Sequence, residues 1–350
     1  MAAIANGVFQ RRGFIVIAWR VMSTPNGATR GGIDLGGTKI QAVVVDAAHV
    51  VLGQARHPTP TTGGPADVAA AMASAMTEAA SEAGVETDAL AGVGVGSPGD
   101  VDARAGTVTS ARNLPDWEGE FALGAALEEA LGTRLHLGND VQVATDAEFA
   151  LGAGRPYRSL LGVFWGTGVG GGIVLDGRPW TGRGAGGEIG HVVVRIGGER
   201  CGCGRLGCME AYAGRASMER RARDAHKNGE KTDLFKIMEQ RGRTRLASGV
   251  WDRALRRNDR VATRLVDDAV EALGAGVASA QNILDVEAII IGGGLGIRLG
   301  DAYATRIAEA MLPHLFDDIN PPAMHVAALG DLGGAIGAAL LAQPASGRPV

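Results

Sequence analysis

The sequence predicts a two-domain mixed α/β protein built on a duplicated plan, with a cleft between its halves. Three observations carry this expectation. A chain of 350 residues, 46% hydrophobic and 21% charged, has the size and make-up of roughly two globular domains. Strand-like and helix-like segments alternate along it, as they do where helices cover mixed sheets. Two hairpins with glycine-threonine turns, Gly36-Gly37-Thr38 and Gly166-Thr167-Gly168, each open one half of the chain. Against 38 Asp+Glu stand 34 Lys+Arg, a formal net charge of -4 with pI near 6.0. That balance offers no footprint for a polyanion, so nucleic acid and anionic membranes give way to small-molecule chemistry. Glycine, 55 of 350 residues, has about twice its usual share. It is clustered rather than periodic, which suits tight turns and loops that let a phosphate approach the backbone.

Residues 1–29 read as a disordered or spurious extension. The apolar run 13–19, flanked by Arg11, Arg12 and Arg20, is too short to span a bilayer; residues 21–25 lack a small-x-small cleavage site, and Met22 is an alternative start. A cytoplasmic location follows as the expectation. Strands are expected at 31–35 and 39–46, joined by the first turn, and at 50–56. Residues 65–83 have helical composition, with Pro65 at the start and Gly84 just past the end. Then come a strand at 90–95, a helix at 121–131, a strand at 133–137 and a helix at 140–151. The second half opens with strands at 159–165 and 172–176 around the second turn. Helices near 210–223 and 260–282 follow, then a buried strand at 286–291 ending in Gly292-Gly293-Gly294, and helices near 301–312 and 332–342. Residues 225–260, rich in Lys227, Lys231, Lys236, Arg241, Arg243 and Arg245, read as a solvated helical insertion. The expected domains are 30–140, rejoined by the helix near 332–342, and 141–330.

The motif Gly-x-Gly-x-x-Gly occurs four times, from Gly94, Gly166, Gly182 and Gly202, and in no case between a strand and a helix. A Rossmann site is therefore not indicated, and no Gly-Lys-Ser/Thr exists for a Walker A loop. The first turn is more specific. Asp34, Gly36, Gly37, Thr38 and Lys39 combine backbone N–H groups, a hydroxyl donor and a carboxylate able to hold hydrated Mg²⁺, which is what handling a phosphate requires. The plainer alternative is an ordinary hairpin, but the echo at Gly166, Thr167 and Gly168 favours a nucleotide held from both sides. All three cysteines fall within eight positions, Cys201, Cys203 and Cys208, and His191 lies ten residues upstream. Together they can complete a tetrahedral Cys₃His zinc site, which as a closed four-ligand site would be structural. Asn139-Asp140 follows a strand and opens a helix, where Asn is a natural cap and Asp a favourable first-turn residue.

Taken together, Asp34-Leu-Gly-Gly-Thr-Lys39, Gly96-Ser-Pro-Gly99, Asn139-Asp140, Gly187-Glu-Ile-Gly-His191 and Cys201-Gly-Cys-Gly-Arg-Leu-Gly-Cys208-Met-Glu210 resemble the ROK group (repressors, open reading frames, kinases) over about residues 30–342. The resemblance implies an actin/hexokinase-like (ribonuclease H-like) fold with duplicated mixed sheets. It implies an ATP- and Mg²⁺-dependent glucokinase phosphorylating the sugar 6-hydroxyl, with Asp140 as general base. It assigns sugar contacts to Asn139, Glu188, His191 and Glu210, with Gly99 and Asn113 as further contacts, and adenosine contacts to Gly292, Gly293 and Gly294. His191 would serve both zinc and sugar, and the zinc would stiffen the sugar-binding segment. A homo-oligomer, dimer or tetramer, working in glycolysis is implied as well. Two alternatives stand beside glucokinase: a kinase for N-acetylmannosamine, fructose, mannose or allose, and a sugar-responsive repressor. The repressor needs an N-terminal winged helix of about 60–80 residues, which the residues before Asp34 do not resemble.

Overall fold

A computed structural model describes residues 28–111 and 114–343. The expected extension, with its alternative start at Met22, and Asn113 lie outside the described residues, apart from residues 28 and 29. Strand β1 (Arg30–Leu35) turns into β2 (Lys39–Val45), β3 (Val51–Pro58) continues the meander, and α1 (Gly64–Ala83) packs across β2 and β3. Strand β4 (Val93–Ser97) runs parallel to β1. Three short strands, β5 (Asp100–Asp102), β6 (Thr107–Thr109) and β7 (Glu120–Phe121), form a small antiparallel sheet before α2 (Leu123–Leu131) and β8 (Leu135–Asn139). After α3 (Asp140–Leu151) the pattern repeats with β9 (Leu160–Trp165), β10 (Val169–Leu175) and β11 (Arg178–Pro179). Helices α4 (Met209–Ala213), α5 (Arg215–Lys227), α6 (Leu234–Gln240), α7 (Ser248–Arg256) and α8 (Arg260–Leu284) lead to β12 (Ala288–Gly292), α9 (Gly293–Met311), β13 (Ala323–Val326) and α10 (Gly333–Leu341).

The two large sheets have one plan. Their orders are β3-β2-β1-β4-β8 and β11-β10-β9-β12-β13, in each case three antiparallel strands followed by two parallel ones. One core lies between the first sheet and α1 and α2, with Ile33, Leu35, Met72, Met76, Leu123 and Leu127 all without solvent exposure. The other joins Val163 and Trp165 to Met209, Val266 and Leu273. Each such side chain contributes about 1.5–3 kcal/mol by leaving water. Helix α10 returns to the first sheet and packs on β1, β4 and α3. Small residues make that possible, since a Cβ on Gly32 would overlap the Ala335 carbonyl and one on Gly94 the Ala338 carbonyl. The buried Glu148 of α3 accepts hydrogen bonds from the N–H groups of Ala153 (3.0 Å), Ala328 (3.0 Å) and Leu329 (2.9 Å). It thereby ties the end of α3 to the segment that leads into α10.

Several expectations are corrected. The helix near 210–223 is two helices broken at Gly214, which is extended and packs against the Glu210 carbonyl. The strands at 90–95, 133–137 and 286–291 lie about two residues later, so Asn139 ends β8 and caps α3. Strand β10 starts at Val169, directly after the second turn. The expected helix near 301–312 is preceded by a further helical segment that starts at Gly293 and is broken from it at Gly300, at φ of 66°, so that both lie within α9 and Gly292 to Gly294 form a strand-to-helix junction. The 225–260 stretch is not merely solvated. Leu234, Ile237, Val250, Trp251 and Ala254 are buried, while Lys227, Lys231, Lys236 and the arginines at 241, 243 and 245 are exposed as expected.

Candidate active site

The site begins with a register. Asp34 on β1 pairs with Gly96 on β4, which pairs with Gly138 on β8, two residues before Asp140. The strand between the two acids thus carries no side chain at this level, and a Cβ on Gly96 would stand 3.3 Å from Asp140 Cα. The two carboxylates sense each other across this gap. Burial above all, and then the Asp34 charge, push Asp140 up from 3.8 to about 7, against the hydrogen bond it accepts from the Val141 N–H at 2.9 Å. Glu188 adds a smaller push in the same direction, which places it in the same electrostatic neighbourhood. Asp34 is also raised, by burial, with Lys39 opposing. Its carboxylate takes no hydrogen bond from a described residue, and the start of α10 packs over it, with a Cβ on Gly334 lying 2.7 Å from Asp34 Cγ. Asn139 Oδ1 caps α3, accepting from the N–H of Val141 (3.1 Å) and Gln142 (3.2 Å).

In each glycine turn the first glycine donates the closing backbone hydrogen bond, over three residues in the first turn and two in the second. Gly36 N–H donates to Lys39 O at 2.9 Å, and Gly166 N–H donates to Gly168 O at 3.0 Å. Gly37 and Thr38 are exposed, while Lys39 reaches the Asp331 carbonyl at 3.4 Å. Thr167 receives Arg215 Nη2 at 2.8 Å. The carboxylate of Glu210 folds toward this second turn, where Oε2 accepts the Val169 N–H at 3.0 Å and Oε1 lies 3.6 Å from Cys201 Sγ.

His191, Cys201, Cys203 and Cys208 bring their ligand atoms within 4.8 Å of one another. Cys203 Sγ and Cys208 Sγ are 3.7 Å apart, as are Cys201 Sγ and His191 Nδ1. A tetrahedral zinc with bonds of about 2.3 Å to sulfur and about 2.0–2.1 Å to nitrogen requires ligand separations of about 3.5–3.8 Å. The donor set fits the ion in kind, and these two separations of 3.7 Å lie in that range. The cysteines carry no disulfide, and the other ring nitrogen, Nε2, faces away toward Glu188 Oε2 at 3.8 Å. His191 can therefore face a metal through Nδ1 and the cleft through Nε2.

The remaining expected residues are placed as follows. Gly99, with φ of 96°, follows β4 and packs on Thr109 of the small sheet and on Ala111 just beyond it. Gly292, Gly293 and Gly294 stand beside β9, where Gly293, at φ of 77°, lies against the Trp165 backbone. Sequence reasoning missed Arg215, which joins Thr167 to Ser248 Oγ (Nη1, 2.9 Å). Nothing in the local sequence announces it, because its partners lie 48 and 33 residues away.

The arrangement can hold a polyol against a carboxylate able to gain or lose a proton near neutral pH, with two glycine turns facing an anion. Residues 30–345 match the ROK family model. A glucokinase from Thermotoga maritima is 33% identical over 285 residues, 81% of this chain and 87% of that protein. An N-acetylgalactosamine kinase from a Shewanella species is 32% identical over 319 residues, 89% of this chain and 95% of that protein. The solved ROK family glucokinase from Streptomyces griseus, in complex with glucose and AMPPNP, is 30% identical and superposes with a TM-score of 0.77, covering 90% of this chain and 99% of that one. The duplicated mixed sheets are thus of the actin/hexokinase-like kind, and the chain belongs to the ROK family, among its sugar kinases.

Proposed function

We propose that this protein is an ATP-dependent hexose kinase that transfers the γ-phosphoryl group to the 6-hydroxyl of glucose, with Asp140 as general base. The observation that carries the reading is the placement of Asp140, raised to about 7 at the start of α3 beside Asp34 and Glu188. A base with that affinity is half ionised at neutral pH and can take the hydroxyl proton as the oxygen attacks. Asn139 keeps its side-chain amide group for a sugar hydroxyl while its oxygen caps the helix. Glu188, His191 and Glu210 accept from or donate to further hydroxyls, and a sugar of the wrong shape leaves one of them unpaired at a cost. The turns at 34–39 and 166–168 offer backbone N–H groups to the phosphates, and Gly292 to Gly294 bound the adenosine side. Asp34, whose carboxylate takes no hydrogen bond from a described residue, would hold Mg²⁺ through water, and the ion would supply positive charge to offset that of the phosphates. Zinc on His191, Cys201, Cys203 and Cys208 is structural and fixes the strap that carries Glu188 and Glu210.

A second reading is a kinase for an N-acetylhexosamine, favoured by the 32% identity to the N-acetylgalactosamine kinase. A coupled ATP-consumption assay over glucose, mannose, fructose, allose and the N-acetylhexosamines separates the two. Glucose is expected to give the highest kcat/KM. A higher value for an N-acetyl sugar moves the assignment to the second reading, and no turnover with any sugar rejects both.

A further inference from the structure

Arg215 opens α5 immediately after the break at Gly214, and its guanidinium forks between two hydroxyls. Nη2 donates to Thr167 Oγ1 at 2.8 Å and Nη1 to Ser248 Oγ at 2.9 Å. The main chain is fastened at the same place, with Arg215 N–H on Gly166 O (3.2 Å) and Ala216 N–H on Thr167 O (3.0 Å). Ser248 begins α7, and its Oγ stands 3.5 Å from where a Cβ on Gly294 would be. The fork therefore reaches from the second glycine turn to the β12–α9 junction, across the path expected for a nucleotide.

No ion pair balances the charge of Arg215 among the described residues, and only Glu219, farther off, favours it. Among the described residues no carboxylate lies within ion-pairing distance of it, and the neighbouring Glu219 is taken by Arg223 (2.6 Å), Arg245 (3.7 Å) and the Leu246 N–H (3.0 Å). Burial, and then Arg245, weaken its hold on its proton, with Glu219 opposing. Its position at the first turn of a 13-residue helix sets it against the positive end of the helix dipole. A half-buried cation so placed calls for an anion. The guanidinium also has only donors. It occupies a lone pair on each hydroxyl and leaves both hydroxyl protons for another acceptor, and neither hydroxyl has a second partner among the described residues.

We infer that Arg215 is a positioning residue for the nucleotide phosphates, holding Thr167 and Ser248 as paired donors toward phosphate oxygens and balancing the charge that they receive. The inference rests on the kinase reading and deepens it. It is tested on the full chain by calorimetric titration of ADP and, separately, glucose, with KM for ATP and for glucose alongside. Arg215→Met is expected to weaken ADP about ten- to a hundredfold, the range for hydrogen bonds to a charged group, and to raise KM for ATP. Glucose affinity should stay within about twofold, as for an independent site. Adding Thr167→Val to Arg215→Met should cost less than Thr167→Val alone, because the hydroxyl has already lost its orientation. Arg215→Lys should recover only part of the loss, since an ammonium keeps the charge and lacks the fork. If Arg215→Met does not fold, Thr167→Val and Ser248→Ala carry the same test, each weakening ADP and sparing glucose. Unchanged ADP affinity in the folded variants, or an equal loss of ADP and glucose, overturns the inference while the kinase reading stands. Wild-type protein that binds no ADP overturns both.

Discussion

The two glycine turns occupy equivalent places in sheets of the same strand order, yet different charged side chains stand behind them. The turn at 34–39 carries Asp34 at its base, half-buried under the start of α10 and facing Asp140. The turn at 166–168 has no acid within it and is gripped by Arg215 through Thr167, while Glu210 holds the following residue, Val169. Duplication therefore explains the shared strand order but not the side chains behind the two turns. On the proposed function, both turns offer backbone N–H groups to phosphates, and the side chains behind them, Asp34 in one and Arg215 in the other, give the two sides different tasks. Asp140 stands on the first of these sides, at the start of α3, the helix that packs against β10 and α10.

The difference can be broken from either side. The largest effect is expected at the knuckle, because the second turn is tied to it through Glu210 and Cys201 whereas the first is not. Cys203→Ser should remove the zinc and forfeit several of the about 10–16 kcal/mol such a site can contribute. Metal analysis and thermal melting check this. Full zinc with an unchanged Tm would reject the ligand set. A smaller and more selective effect is expected from Asp34→Ala, which should lower turnover about ten- to a hundredfold and shift the Mg²⁺ dependence with glucose affinity retained. Turnover at varied Mg²⁺ and glucose titration measure it, and a collapse of sugar affinity with unaltered Mg²⁺ dependence would mean the turns have been given the wrong ligands.

Much of this architecture was legible from local signals. Helix α1 ends at Ala83 because Gly84, at φ of 72°, supplies the left-handed cap that its residue type promises. The three cysteines and His191 announced their cluster by spacing alone. The short strands β5 to β7 were not legible, since two or three residues cannot show alternation. Helices α6 and α7 were misjudged for a different reason. Counting the basic residues of 225–260 hid a helical repeat of apolar ones, Leu234, Ile237 and Met238, then Val250, Trp251 and Ala254, that was there to be read. In the site, residue types at Asp34 and Asp140 pointed to chemistry, but their mutual influence depends on Gly96 lying between them in the sheet. Arg215 stayed hidden because only tertiary structure brings α5, α7 and the second turn together.

The central claim is that Asp140 is the base, and Asp140→Asn tests it most directly. The side chain accepts the Val141 N–H in either form, so the helix start survives the change. Because the folded protein raises Asp140 from 3.8 to about 7, its contribution to stability is full below the unfolded value and is lost as pH rises through the folded one. The Asn variant, which never ionises, should therefore melt no lower than wild type at pH 8. Wild-type kcat should fall as pH drops through about 7, as the base takes up its proton. In the variant, kcat should be lower by at least about 10²-fold with that pH limb gone and glucose affinity only modestly weakened. A folded Asp140→Asn protein with wild-type kcat would remove Asp140 from the chemistry and contradict the account.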